Sequence, residues 1–139
     1  MFSEFVTQNI LWVGAFVLVA NLLILSLIQG RIKGVAMVSP LAMPQLQRGG
    51  KWVIIDVNEA SVFANAHIPD SVNYPLSKIN AENTDLLKHR DKTTIVVCQN
   101  GSQSSKAAKL LLEQGFTDVH VLQGGLQGWT KENLPVASD

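Results

Sequence analysis

The sequence predicts an α/β domain with a central, mostly parallel sheet flanked by helices, preceded by one transmembrane helix. Three observations lead to this fold class. A long apolar run at residues 10–28 contains no charged side chain, short apolar runs alternate with helical patterns in the rest of the chain, and one of these runs leads through a glycine-containing polar loop straight into a helix. Strands separated by helices favour parallel pairing, with helices on both faces of the sheet.

Residues 10–28 have the length and composition of a membrane span. At a rise of about 1.5 Å per residue, a helix of this length crosses the hydrocarbon core of a bilayer, which is about 30 Å thick. A cleaved signal peptide is the alternative, with Gly34-Val35-Ala36 as the cleavage tripeptide. The basic segment that begins such peptides is missing, because Glu4 is the only charged side chain ahead of the run.

Basic side chains flank this run on one side. Arg31 and Lys33 follow it directly, and positively charged flanks stay on the cytoplasmic side of a membrane. We therefore expect an anchor at residues 1–33 that spans the inner membrane once, and a domain at residues 34–139 that lies in the cytoplasm.

Charge and cysteine content exclude several classes of partner. Lys+Arg and Asp+Glu number 11 each, so the formal net charge is zero, and non-specific binding to a phosphate backbone needs an excess of positive charge. Nucleic acid is therefore not expected as a partner. The single cysteine, Cys98, supplies neither an intramolecular disulfide nor a zinc or CxxC site. We expect no metal and no cofactor.

The elements after the span follow from turn residues and apolar runs. Residues 34–38 are expected to be a short flexible stretch, and residues 39–47 a short helix with Ser39 as N-cap and Pro40 at its first position. Strands are expected at residues 52–57, 72–74, 94–98 and 119–122. Helices are expected at residues 59–65, 77–89 and 102–114.

The segment around Cys98 is the most informative part of the sequence. An apolar strand at residues 95–97 delivers Cys98 to its carboxyl end, a loop containing Gly101 follows, and a helix begins at once. A thiol in this position faces backbone N–H groups and the positive end of a helix dipole, which stabilise both a thiolate and a bound anion. The alternative is that Cys98 is a small hydrophobic side chain closing a buried strand. The pattern leaves both open.

Asp56 and His67 can each be interpreted either as a functional residue or as a structural one. Asp56 is either a supporting carboxylate near the Cys98 loop or, as is commoner at a strand end, the cap of the following turn. His67 is either a general base or, more simply, a structural residue hydrogen-bonded to the backbone. We favour the structural role for each.

Other candidates are assigned to the surface or to packing. His89 lies in a charged run and is expected at a solvated helix end, and His120 is expected to face away from the side chains of its strand neighbours. Gly124-Gly125 is expected to be a tight turn that packs the last helix onto the core, with Trp129 as a lid.

Three separated motifs occur within residues 39–134. The first is Ile55-Asp56-Val57 followed by the turn His67-Ile68-Pro69-Asp70-Ser71-Val72-Asn73. The second is the loop at residues 98–103, which Cys98 heads, and the third is Gly124-Gly125-Leu126-Gln127-Gly128-Trp129 after the last strand. Together they resemble the signatures of the rhodanese-like domain family, and the chain is more closely similar to small bacterial members with one N-terminal membrane span.

This resemblance implies a fold and a site. The fold is a three-layer rhodanese-like domain, and Cys98 takes the place of the catalytic cysteine. Asp56 takes a supporting position. The substrate-binding loop then consists of Gln99, Asn100, Gly101, Ser102 and Gln103.

The sequence departs from the family pattern in its charges. Family members often carry arginines in the loop and one after the first Asp-Val, whereas this chain has Gln99, Gln103 and Asn58. The replacements remove fixed positive charge from an anion site, so activity on anionic donors is expected to suffer. Ser104 stands where a cysteine-based phosphatase has its phosphate-binding arginine, which argues against phosphatase chemistry.

Two functions remain. In the first, a sulfurtransferase, Cys98 accepts sulfane sulfur from a donor as a persulfide and passes it to a thiol-type acceptor. In the second, a catalytically weak or inactive module is a membrane-tethered platform for a protein partner, in particular a membrane protein. The retained Cys98 favours the first, and the missing arginines favour the second.

Overall fold

The computed structural model describes residues 1–29 and 34–139. It divides the chain into two compact units, Met1–Ile32 and Lys33–Asp139. Arg31 and Lys33, on which the expected membrane orientation depends, lie outside the described residues. The boundary between an anchor at residues 1–33 and a domain at residues 34–139 stays a prediction.

The N-terminal unit contains helix α1, Phe2–Gln8, and helix α2, Ile10–Gln29. The window Ile10–Leu27 has a mean hydropathy of 2.5, and none of its side chains is buried. Asn21 in mid-helix donates its side-chain N–H to the carbonyl of Val17 at 2.8 Å, so its amide is satisfied within its own helix. Helix α2 is therefore long and apolar enough to cross a membrane, and its exposure is unlike that of a core helix.

The second unit contains the strands β1 (Val35–Val38), β2 (Trp52–Asp56), β3 (Val72–Asn73), β4 (Thr93–Val97) and β5 (Val119–Leu122). They form one five-stranded sheet in the order β1-β5-β4-β2-β3. All of its pairings are parallel. The predicted α/β fold class is confirmed. The sheet order also places β4, the strand that leads to Cys98, at the centre of the sheet.

The segment before β2 differs from its prediction. Residues 34–38 are not a flexible stretch, because Val35–Val38 forms edge strand β1 and pairs with β5. The strand has only four residues, and only Val38 among them is buried. Its partner, β5, lies far along the chain, so the local sequence does not reveal the pairing. Residues 39–47 form a 3-10 turn, Pro40–Ala42, and then helix α3, Met43–Gln47.

Helices cover both faces of the sheet. Besides α3 they are α4 (Ala60–Asn65), α5 (Thr84–Leu87), α6 (Ser102–Glu113) and α7 (Gly125–Lys131). Successive strand side chains point to opposite faces. Accordingly, Ile55 belongs to one hydrophobic cluster with Leu111 of α6, and Ile54 belongs to another with Met43 and Trp129. The sheet and its two flanking layers make the expected three-layer domain.

The predicted helix at residues 77–89 is wrong for most of its length. The segment forms a 3-10 turn, Leu76–Lys78, and the short helix α5. The side chain of Asn80 accepts hydrogen bonds from the N–H groups two and three residues further on, and such a turn competes with helix formation. Asn83 then caps α5 by accepting from the N–H of Leu86 at 3.1 Å.

His89 is not a solvated side chain, contrary to the sequence prediction. It is only 7% exposed, with Nδ1 at 2.9 Å from Nζ of Lys92 and Nε2 at 3.4 Å from the hydroxyl of Tyr74. That hydroxyl in turn donates to Oδ2 of Asp85 at 2.6 Å. Burial lowers the pKa of His89, and the charges of Lys92 and Lys88 lower it further.

This buried histidine makes stability depend on pH. The ordinary pKa of His89 is 6.5 and folding lowers it, so the unfolded chain takes up a proton at a higher pH than the folded chain. The stabilising contribution is complete above pH 6.5 and is lost as the pH falls through the lowered pKa. We expect the free energy of unfolding, measured with urea across this range, to fall less steeply in His89→Gln. Parallel pH profiles for the two proteins would contradict this role.

Candidate active site

Cys98 directly follows β4 at the carboxyl edge of the sheet, and α6 begins after the intervening loop. Its side chain is free and only 1% exposed. The sequence correctly predicts a strand, a loop and an immediate helix at this point. The thiol is therefore more enclosed than a side chain on an open loop would be.

Hydrogen-bond donors converge on the sulfur of Cys98. The backbone N–H of Gly101 lies 2.9 Å from Sγ, the hydroxyl of Ser104 donates to it at 2.8 Å, and the N–H of Ser104 lies 3.4 Å away. The φ angle of Gly101 is +97°, a left-handed conformation that glycine adopts without strain, and α6 begins directly after it. Such donors and the N-terminal end of α6 stabilise a thiolate.

Ser104 lies outside the loop that the sequence predicts for the site. It occupies the first turn of α6 and is fully buried. A serine near the start of a helix is ordinarily a surface or capping residue. The signal that could have identified it is its place one turn into the helix that follows Cys98, where its side chain turns back towards the thiol.

The N-terminal end of α7 supports the loop from behind. The N–H of Leu126 donates to the carbonyl of Cys98 at 2.7 Å, and the N–H of Gln127 donates to the carbonyl of Gln99 at 3.0 Å. Gly125 makes this approach feasible. Its φ is +59°, and a Cβ there would collide with the carbonyl oxygen of Cys98 and lie 2.9 Å from the nitrogen of Asn100. The double glycine therefore shapes the loop as well as packing the helix.

A small polar cleft opens beside the thiol. It has a volume of about 150 Å³ and is lined by Asn58, Cys98, Gln99, Asn100, Ser102 and Gln103. The sequence-predicted loop residues thus surround it, apart from Gly101, whose N–H is directed at the sulfur. Asn100 fixes the loop, because its Oδ1 accepts from the N–H and the hydroxyl of Ser102 at 3.1 and 2.8 Å.

Asp56 lies behind the wall of this cleft. It is fully buried, and its Oδ1 accepts from the N–H of Asn58 at 2.9 Å. Oδ2 of Asp56 and Nδ2 of Asn58 are both buried with no other partner, and the Asn58 side chain lies close enough to lower the pKa of this carboxyl. Burial raises the pKa of Asp56, and the backbone N–H of Asn58 opposes that rise. Asp56 therefore caps the turn after β2, as the structural interpretation predicts. Its neighbour Asn58, and not Asp56 itself, lines the cleft.

The remaining candidates lie away from the cleft lining. Nδ1 of His67 is 2.7 Å from the carbonyl of Phe63, and the two rings stack at 3.9 Å. Nε2 of His120 is 2.8 Å from Oδ1 of Asp118. Trp129 is 9% exposed and belongs to the hydrophobic cluster under α7. These contacts are structural.

The family assignment rests on this fold together with the sequence. The sequence model of the rhodanese-like domain family matches residues 39–132. This range is more than half of the chain, and it includes the Cys98 loop and the motifs on either side of it. The chain therefore belongs to the rhodanese-like domain family.

Relatives of known sequence include proteins with and without an assigned activity. The chain is 41% identical over 85 residues to the uncharacterized protein YibN of Escherichia coli K12, covering 60% of this chain and 59% of that protein. It is also 41% identical over 93 residues to thiosulfate sulfurtransferase GlpE of Pseudomonas savastanoi pv. phaseolicola, covering 65% of this chain and 83% of that protein. The match to YibN thus spans less than two thirds of that relative.

Solved structures share the fold. A rhodanese-related protein from Thermoplasma volcanium superimposes with a TM-score of 0.64 at 26% identity, covering 75% of this chain and 99% of that one. A thiosulfate sulfurtransferase from Pseudomonas aeruginosa gives a TM-score of 0.66 at 28% identity, covering 75% of this chain and 20% of that one.

Proposed function

We propose that this protein is a membrane-anchored sulfurtransferase that carries sulfane sulfur as a persulfide on Cys98. The observation that carries the proposal is the convergence of the Gly101 N–H and the Ser104 hydroxyl on Sγ beside a small polar cleft. A cysteine that were merely packing material would need neither donor. The likeness to proteins named thiosulfate sulfurtransferase supports the same activity.

The chemistry proceeds in two transfers. In the first, the Cys98 thiolate attacks the sulfane sulfur of a donor, the donor's bond to that sulfur breaks, and the donor remnant leaves with the bonding electron pair. In the second, the sulfur of a thiol acceptor, or the carbon of cyanide, attacks the outer sulfur of the persulfide. Cys98 then leaves as a thiolate, which Gly101 and Ser104 stabilise again by hydrogen bonding.

A second candidate function is a docking module in which Cys98 is not used. One observation favours it: the cleft lining, which lies within the described part of the chain, contains no lysine or arginine. Fixed positive charge would be the most effective aid to binding an anionic sulfur donor. In this function the tethered domain would bind a membrane-protein partner.

Turnover with thiosulfate and cyanide distinguishes the two functions. We expect Cys98→Ser to abolish turnover, and Gln99→Arg/Gln103→Arg to raise it by about tenfold, because charge-assisted hydrogen bonds hold an anion more strongly than amides do. The matched control is Gln45→Arg/Gln47→Arg, which adds the same charge on α3 outside the cleft. Equal rates in the native protein, Cys98→Ser and the cleft variant would mean that Cys98 is not the nucleophile.

We also propose that α2 spans the inner membrane once, with residues 34–139 in the cytoplasm. The apolar, unburied window Ile10–Leu27 and the basic residues after it support this arrangement. Protease added to spheroplasts should leave the domain intact until the membrane is permeabilised, and the mature chain should retain its N-terminal segment. Digestion from outside, or cleavage near residues 34–36, would overturn the arrangement.

A further inference from the structure

The amino ends of four neighbouring strands lie side by side at one edge of the sheet. Val119, which begins β5, pairs with Val35 of β1 and with Thr94 of β4. Trp52, which begins β2, pairs with the first residue of β4. We refer to this side of the sheet as the amino edge. Because all of these pairings are parallel, the carboxyl ends of the strands lie at the opposite edge, where Cys98 follows β4.

Basic side chains gather at the amino edge. The segments just before β2 and β4 carry four that are exposed or half-buried: Arg48, Lys51, Arg90 and Lys92. Two acidic side chains, Asp91 and Asp118, oppose them, and Asp118 lies 2.8 Å from Nε2 of His120. Lys88 is offset by its ion pair with Asp85 at 2.7 Å. The amino edge therefore has an excess of positive charge, although the whole chain is formally neutral.

The amino edge is also where the chain enters the domain from the proposed membrane span. Residues 30–34 join Gln29, the last residue of α2, to Val35, the first residue of β1. Even a fully extended chain of this length spans at most about 20 Å, and the headgroup layer accounts for about 5 to 8 Å of it. The Debye length at physiological ionic strength is about 8 Å. The connection therefore keeps the amino edge within about two Debye lengths of the headgroups.

The charge of the two edges differs in the direction that a membrane surface requires. The connection to the span adds two more basic residues, Arg31 and Lys33, to the amino edge. At the opposite edge, Glu59 follows β2 and Lys78 follows β3, so their charges balance. An anionic leaflet strengthens the binding of a protein roughly fivefold for each basic side chain near its surface.

We propose that the amino edge of the domain docks on the anionic headgroups of the membrane that α2 spans; this inference rests on the proposed membrane span. The four basic side chains before β2 and β4 contact phosphate groups of the lipids. The cleft beside Cys98 lies at the other edge of the sheet, so docking leaves it open to donors and acceptors from the cytoplasm.

The test compares labels at the two ends of β5. Thr117 is exposed just before the strand, and Gln123 is exposed just after it. Thr117→Cys or Gln123→Cys, each made in full-length Cys98→Ser, carries a fluorescent label. The chain is reconstituted in phosphatidylcholine vesicles that contain a headgroup spin-labelled quencher, with or without phosphatidylglycerol. We expect this anionic lipid to raise quenching roughly twofold more at position 117 than at position 123, and high salt to remove the difference.

Removal of charge from the amino edge should abolish this effect. We expect Lys51→Gln/Arg90→Gln to lose the quenching that depends on phosphatidylglycerol. The matched control is Lys106→Gln/Lys109→Gln, which removes the same charge from the exposed face of α6 and should keep the effect.

The outcomes separate this inference from the proposals on which it rests. Equal quenching at the two positions, or a difference that persists in Lys51→Gln/Arg90→Gln, would overturn lipid docking and make an acidic protein the candidate partner of the amino edge. Sulfur loading of Cys98 in the native chain would be untouched by that result. Release of the chain from the vesicles by alkaline carbonate would instead overturn the proposed span, and the docking with it.

Discussion

Replacing Trp129 with alanine is expected to cost the domain about 3 to 5 kcal/mol of unfolding free energy, the range for truncating a buried aromatic side chain. The indole packs in the hydrophobic cluster that includes Met43, Ile54 and Leu126, and its N–H donates to the carbonyl of Pro135 at 2.8 Å. A loss of this size is comparable to the whole stability of many small domains. Urea or thermal unfolding of residues 34–139 measures it.

The matched comparison for this variant is Cys98→Ser. Cys98 is buried rather than placed at an open loop, but a serine hydroxyl accepts the same hydrogen bonds from Gly101 and Ser104, so the change should cost about 1 kcal/mol or less. If Trp129→Ala kept its melting temperature and lost sulfur transfer, the indole would belong to the site rather than to the core.

Replacing Gly125 with alanine is expected to abolish sulfur transfer and to lower stability. The added methyl group would overlap the carbonyl oxygen of Cys98 and press on the nitrogen of Asn100, and φ of +59° is strained for alanine. Since backbone and not a flexible side chain is in the way, the loop must move and Sγ must leave its donors. Rates of loading and turnover, with the melting temperature, report both effects.

Gly49→Ala is the control for this substitution. Gly49 lies in the turn after α3, and a Cβ there would meet only the carbonyl oxygen of Leu46, at 3.9 Å. Its activity and melting temperature should match those of the native protein. Native activity in Gly125→Ala would show that the contact between α7 and the loop does not hold the thiol in place.

The sheet was predictable where a strand buries most of its residues. β2, β4 and β5 each bury most of their residues, and a continuous apolar run reveals such a strand. β1 is also apolar, but it has only four residues, buries only Val38, and depends on its pairing with the distant β5. His89 shows the same limit, because it packs beside Tyr74, which is 15 residues away in the chain.

The candidate site likewise contains features that the local sequence predicts and features that it does not. The position of Cys98 follows from local order, since a strand, a glycine loop and a helix are adjacent in the chain. The approach of Gly125 to Cys98 and the turn of Ser104 towards the sulfur depend on tertiary contacts. Spacing and residue type alone do not determine such contacts.

The most direct test of persulfide formation on Cys98 is mass spectrometry of the full chain after incubation with an excess of thiosulfate or glutathione persulfide. We predict the mass of one added sulfur atom on the peptide that contains Cys98, lost again on treatment with cyanide or a thiol, and absent in Cys98→Ser. An unmodified Cys98 peptide after incubation with both donors would contradict the account and leave the docking module as the function to pursue.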